Sequence, residues 1–456
     1  MKAAFFRKRP HLAEIYHSYG NFTLDEYFQI LARAIQPSGT VKKSLHTSII
    51  TETKRLLGDK IDMTAFETQI SNFPVVSTAD HHGILSSKIL YNSNIVYSQL
   101  TDSLNLKYIP VLSSGGIPFN NESHPGGFFF NGNKIRFIKS KYEDVPVSHY
   151  KAGIQSGNSI VDLIVNLNGL NIINPLNDEE TKFLEYLCFD TLDINSICSE
   201  HSVFSDQVTI VNYKLWKLFF AQGFHNRISE LVYLQMDRII KTILIEEIQN
   251  PESLVSKILF DKNTLDVFIR NFQDIPGCWG ERNGSFLFWE VRSDNKGLGR
   301  LEHKPGSGLL CGRGKKFTLD RDCIISALNN GLIQPTLFFN FLLLSFEGGL
   351  FTLGGFNQVD YLGEMQAAFI RSLSEIGLPG AADDFAKRVT NGFICGMNPF
   401  HFESSIDMLW EFNSVNGVFN GNLDRGITPE GLASVGKRRL KELIDDALPV
   451  LLAIVK

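Results

Sequence analysis

The chain has 456 residues, 43% hydrophobic and 20% charged, a balance that excludes a disordered or fibrous protein and allows a large buried core. The 44 basic and 49 acidic side chains leave a net charge of −5, so no strong positive field draws nucleic acid as a general partner. Cys188, Cys198, Cys278, Cys311, Cys323 and Cys395 are scattered with no C-x-x-C pair, which points to a reducing, cytoplasmic setting rather than a zinc ribbon or disulfide framework. The apolar opening stops at Arg7, too early for a secretory segment, and the run from Leu337 to Phe346 is too short to span a membrane.

In chain order, residues 1–70 read as helices, because Leu24, Phe28, Leu31, Ala32 and Ile35 recur at helical spacing before Pro37. A first part of an α/β core follows over 71–177. Phe73 to Ser77 and Tyr108 to Ser113 are short apolar strands, and the pattern from about 82 to 104 between them is helical. Together they predict a βαβ unit with parallel strands and a right-handed crossover. Phe128-Phe129-Phe130 and Ile135-Arg136-Phe137 flank Asn131-Gly132, the signature of a β-hairpin. Residues 178–260 read as a helical insertion, with Ile228, Leu231, Val232, Ile239, Ile240, Ile243 and Leu244 assigned to one face. The second part of the core, 261–370, has a hairpin turning at Asp294-Asn295-Lys296-Gly297. The last segment, 371–456, closes with a docking helix that Thr428 caps and Pro429 opens. The expected class is α/β, a Rossmann-like parallel sheet core with a helical insertion and β-hairpins.

Ligands of open α/β sheets bind beyond the carboxyl ends of the strands, which places the site at Thr78-Ala79-Asp80-His81-His82-Gly83 and at Ser113 to Gly127. Gly83 is read as opening a helix whose free N–H groups favour an anion, with His81 or His82 adding a donor or a proton. Within the second loop Ser113, Gly116, Asn120 and His124 are the candidate contacts. Gly354-Gly355 permits close backbone approach, with Gln358 and Tyr361 as polar readers one turn on. The glycine-spaced basic loop Cys311 to Lys316 matches no phosphate fingerprint and reads as a solvated turn.

The order of these segments resembles the family of BshC, the cysteine-adding enzyme of bacillithiol biosynthesis. There a strand runs into a Gln-Gln-Pro-Gly-type turn, and Asp80-His81-His82-Gly83 stands at that place; later, Gly354-Gly355 is followed by Gln358 and Tyr361 where the family has an acidic residue and a tyrosine. The resemblance covers about residues 70 to 366. It implies a ligase-like enzyme condensing an amino acid or related acid with an amine acceptor in small-molecule or natural-product biosynthesis. ATP or another nucleotide is the implied cofactor and small-molecule substrates are the implied partners. Asp80, His81 and His82 take the catalytic roles; Thr78, Gly83, Ser113, Gly116, Asn120, His124, Gly355, Gln358 and Tyr361 hold substrate. Two alternatives stand beside it. One is a metal-dependent hydrolase or phosphoesterase using Asp80, His81, His82 and His124; the other is a non-catalytic small-molecule binding protein on the same scaffold. No metal is expected under the leading reading, and the sequence leaves the oligomeric state open.

Overall fold

The computed structural model describes residues 2–35, 41–154, 156–157, 159, 174–275, 278–280, 284–292, 297–304 and 307–454. Its centre is one sheet of five strands, β1 (Val75–Ser77), β2 (Tyr108–Ser113), β3 (Glu230–Gln235), β4 (Phe351–Gly355) and β5 (Asn391–Cys395). Every neighbouring pair is parallel and the spatial order is 3-2-1-4-5, the doubly wound order of Rossmann-type sheets. Such a sheet is covered on both faces, so its strands read as continuous apolar runs; Tyr108 to Ser113 are all buried.

The βαβ unit is present. Helix α1 (Lys88–Ser103) carries the chain from β1 to β2, and every residue from Leu90 to Thr101 is buried. Being enclosed on all sides, it satisfies its polar side chains internally; Ser93 Oγ, for instance, donates to Ile89 O at 2.6 Å. The helix begins later than the sequence pattern predicts, at Lys88 rather than near residue 82. After β1 the backbone stays paired with the exit of β2: Ser114 N–H donates to Asp80 O at 2.8 Å and His82 N–H to Ser114 O at 2.7 Å. These bonds hold the His-Gly segment extended, so the expected helix start at Gly83 is replaced by one at Ser87.

Two strands lie where helices are expected. β3 falls inside the segment read as a helical insertion, between α2 (Phe204–Leu218) and α3 (Met236–Gln249), and β5 falls inside the C-terminal segment. In β3, Leu231 to Leu234 form a short apolar run buried on both sides of the sheet, which periodicity alone cannot separate from a buried helical turn. The hairpin Gly127–Phe130 with Asn133–Arg136 forms as expected, with φ of 47° at Asn131 and 73° at Gly132. Phe288–Val291 pairs antiparallel with Leu298–Arg300, whereas the Asp294-Asn295-Lys296 part of the expected turn lies outside the described residues. The Cys311 to Lys316 loop is a tight turn between two antiparallel strands, Leu309–Cys311 and Lys316–Thr318. The docking helix at the C-terminus is two helices, Pro429–Gly436 and Leu440–Ile454.

The first three helices, within residues 2–34, buttress the β4 and β5 side, whereas Lys43–Leu57 packs against α3 on the β3 side. Thr23 and Glu26 form a capping box at the start of Leu24–Ala34, whose Tyr27 hydroxyl donates to Phe393 O at 3.1 Å. Arg9, buried against Phe5 and Phe356, donates from Nε to Asn357 Oδ1 at 3.0 Å and so fixes the turn after β4. Among the described residues no helix is long and apolar enough to cross a membrane. The six cysteines are all free of disulfide bonds.

Candidate functional site

In the order 3-2-1-4-5 the chain reverses direction across the sheet between β1 and β4, and the connections leaving those paired strands part to leave a crevice. A cleft of about 1850 Å³ opens there, larger than a typical small-ligand pocket. Its floor comes from strand exits: Thr78 to His81 after β1, Ser114 and Gly116 after β2, Met236 after β3, Gly355 to Gln358 after β4 and Cys395 at the end of β5.

Thr78 and Gln358 face each other across the crevice. Gln358, in the first turn of α4 (Gln358–Glu375), donates from Nε2 to Thr78 Oγ1 at 2.8 Å. A side chain at position 354 would place Cβ 2.3 Å from the Gln358 amide carbon, so glycine there lets Gln358 fold back over the strand end. On the other side Gly116 plays the same part for Gln334, whose Nε2 would be 2.4 Å from an added Cβ. Gln334 donates to Asp237 Oδ1 at 2.7 Å, and burial pushes the Asp237 carboxyl up to about 6.

Asp80 is the most perturbed acid of the cleft floor. It is 1% exposed, and burial pushes its carboxyl up to about 7 against the lowering effects of the Asn94 amide, which donates to Oδ2 at 2.7 Å, and of the nearby Tyr233 hydroxyl. Its other oxygen, Oδ1, has no hydrogen-bond partner among the described residues. A buried carboxyl that titrates near neutrality and keeps one oxygen uncommitted is equipped to accept a proton or an N–H donor from a ligand. His81 lines the cleft beside it, with Nδ1 2.9 Å from Ser123 Oγ and its ring held neutral by burial. The Tyr233 hydroxyl donates to His81 O at 2.7 Å, fixing the backbone between the two side chains.

The site expectations divide on this geometry. Thr78, Asp80, His81, Gly116, Asn120, Gly355, Gln358 and Tyr361 line the cleft together. His82, Gly83, Ser113 and His124 do not. His82 is fully buried beneath the floor: Nε2 donates to Ser205 O at 2.9 Å, Nδ1 accepts from Ser113 Oγ at 2.7 Å, the ring stacks on Tyr233, and burial lowers its pKa to about 4. Ser113 is committed to that imidazole. Gly83 is a packing glycine, since a Cβ there would lie 2.3 Å from Pro125 Cα. His124, at φ 50°, turns its ring onto Phe129 and directs Nε2 toward Ile135 O at 3.4 Å. Of the two imidazoles, His81 faces the cleft and His82 lies under its floor, because the hydrogen bonds of residues 80–82 to Ser114 keep this segment out of the helical turn expected at Gly83. Asp80, His81, His82 and His124 do not converge, and no group of three metal-capable side chains occurs among the described residues.

Sequence reading missed Asn94, Tyr233, Asp237 and Gln334, which lie on α1, β3, α3 and a short strand that carry no recognisable motif. It also missed the sign of the walls. Glu122, Asp144, Glu180, Glu403, Asp407 and Glu411 line the cleft, whereas Lys88 is the single lysine or arginine among the described lining residues and sits 2.8 Å from Glu403.

Those walls do not fit a nucleotide. The β1 exit has no glycine fingerprint that would let a pyrophosphate approach the backbone, and Gly83 is occupied by Pro125. The helix start at Ser87 is bridged to Ser404, next to Glu403, so the field there opposes phosphate. Comparison with family models, curated proteins and solved structures returned no match. The likeness to the BshC family accordingly rests on motif order.

Proposed function

We propose that this chain is an enzyme that condenses an amine-bearing small molecule with an activated carboxylic acid at the switch-point cleft. The observation that carries the reading is Asp80 at the floor of an acid-walled cleft, a buried carboxyl raised to about 7 whose buried Oδ1 has no hydrogen-bond partner among the described residues. An ammonium is drawn in by the carboxylate field and loses its proton to Asp80. The neutral amine then attacks the acyl carbon of a thioester or acyl phosphate. A C–N bond forms as the C–S bond of the thioester or the C–O bond of the acyl phosphate breaks, the second nitrogen proton leaves with the departing thiol or phosphate, and His81 supplies a hydrogen bond to the developing oxyanion. Thr78 and Gln358 orient the acyl partner across the crevice. The resemblance to BshC supports the amine-acceptor half of this reading; the carboxylate walls favour an acid activated beforehand over ATP.

The experiment is incubation of the purified protein with a pool of amines and acyl thioesters, followed by mass spectrometry for products heavier than the amine by the acyl group. An enzyme-dependent product lost in both Asp80→Asn and His81→Ala supports the proposal. A product formed equally by Asp80→Asn removes Asp80 as the base, and a hydrolysed thioester without amide points to a hydrolase.

A further inference from the structure

We infer that the amine substrate is a linear diamine or polyamine, bound with one ammonium at Asp80 and the other in an aromatic and acidic compartment at the far end of the same cleft. This rests on the amine-acceptor reading above and names its substrate class.

The compartment is built where the hairpin Gly127–Phe130 with Asn133–Arg136 meets α5 (Ser405–Asn413). Phe130, fully buried against Phe183, packs edge-on to Trp410 at 6.0 Å, so the half-buried Trp410 is the ring presented to the cleft. The hairpin is clamped to the start of this helix by two bonds, Ser404 Oγ donating to Phe129 O at 2.7 Å and Asn131 N–H to Asp407 Oδ1 at 2.8 Å, and to the separate helix Asp178–Glu185 by Asn131 Nδ2 donating to Glu180 Oε1 at 2.9 Å. Aromatic faces beside carboxylates are the standard recognition surface for an alkylammonium, attracting it through the ring quadrupole and the charge together. Glu411, exposed one residue beyond Trp410, adds a carboxylate at the rim.

The two ends are held at a defined separation by α1. Its first residue follows Ser87, which is bridged to Ser404 at the aromatic end, and Asn94 holds Asp80 at the other. Ser87 and Asn94 are seven steps apart along the chain, roughly 10 Å of rise at 1.5 Å per residue. Asp80 and the acidic end beside Ser404 therefore lie at opposite ends of this stretch of α1, a spacing that the chain of a linear diamine can span, with Glu411 as the exposed distal carboxylate. A ligand carboxylate would enter the same negative field as the walls, so a diamine fits better than lysine or arginine.

The test is calorimetric titration at pH 8 and low salt, where Asp80 is largely ionised. The ligands are α,ω-diamines of three to eight carbons, spermidine, the monoamine of matched length, the matched diol, and lysine. The inference predicts an affinity maximum at one chain length, at least tenfold tighter than the matched monoamine, and weaker binding of lysine. Glu411→Gln, at an exposed position that supports no packing, should bring the best diamine several-fold toward the monoamine. Asp80→Asn should weaken both. Equal affinity for diamine and monoamine, tighter binding of lysine, binding of the diol, or no binding in the series would each overturn the inference. Amide formation from a monoamine alongside any of those results would leave the condensing activity standing and only the diamine specificity lost.

Discussion

Replacing Asp80 with asparagine should make the protein more stable at neutral and alkaline pH while leaving it nearly unaffected in acid. An amide has the shape of the protonated carboxyl, can accept the same bond from Asn94, and cannot ionise. In the wild type burial raises the folded-state pKa from its ordinary 3.8 to about 7. Between those values the unfolded chain has released the proton while the folded chain still holds it. The carboxyl therefore contributes stability that is lost as pH rises toward 7. The slope approaches 1.4 kcal/mol per pH step, so wild type should lose roughly 2 kcal/mol relative to Asp80→Asn between pH 5 and pH 7. His82, whose pKa is lowered, acts in the opposite direction as pH falls below its ordinary value, but it is common to both proteins and cancels in the difference. Urea denaturation midpoints of the two proteins at half-unit pH intervals read this directly. Parallel curves would refute the buried, neutral state of Asp80 and with it the proton-acceptor role.

His82→Ala should destabilise the protein by about 2–4 kcal/mol in denaturant titrations, since it removes the imidazole donor to the Ser205 carbonyl and the ring's bond with Ser113 and opens a cavity under the floor. His81→Ala should keep the melting temperature within a few degrees and lose amide formation instead, measured by product mass; the reverse pattern would exchange the two imidazoles. Gly83→Ala forces Pro125 away from a 2.3 Å approach and should cost about 1–3 kcal/mol, checked by thermal unfolding. Gln358→Ala removes the Thr78 bond across the crevice and should raise KM for the acyl partner roughly tenfold with little change for the amine, measured by steady-state kinetics.

The architecture was legible where one signal dominated. Two apolar runs with a helix between them gave the β1–α1–β2 unit, and Asn131-Gly132 gave the hairpin, because turn chemistry and burial act over a few residues. β3 and β5 were not legible: short strands buried on both faces carry no alternation, and only their pairing with β2 and β4 distinguishes them from helix. In the site, the strand exits placed Thr78, Asp80, His81 and Gln358 in one cleft, but side-chain direction depended on a hydrogen bond between residues 32 positions apart, His82 N–H to Ser114 O. That bond keeps the segment extended, turning His82 inward and leaving His81 in the cleft. The acidic walls come from the loops and helices around residues 122, 144, 180 and 403–411, whose common address is a property of the fold, so the net charge of −5 gave no hint of them.

The most direct measurement of the central claim is a crystal structure of the protein soaked at pH 8 with the tightest-binding amine. The account predicts a ligand nitrogen within about 3 Å of Asp80 Oδ1, beside His81 and over the Thr78–Gln358 pair. An amine bound elsewhere, with Asp80 untouched and its carboxyl still neutral, would contradict it.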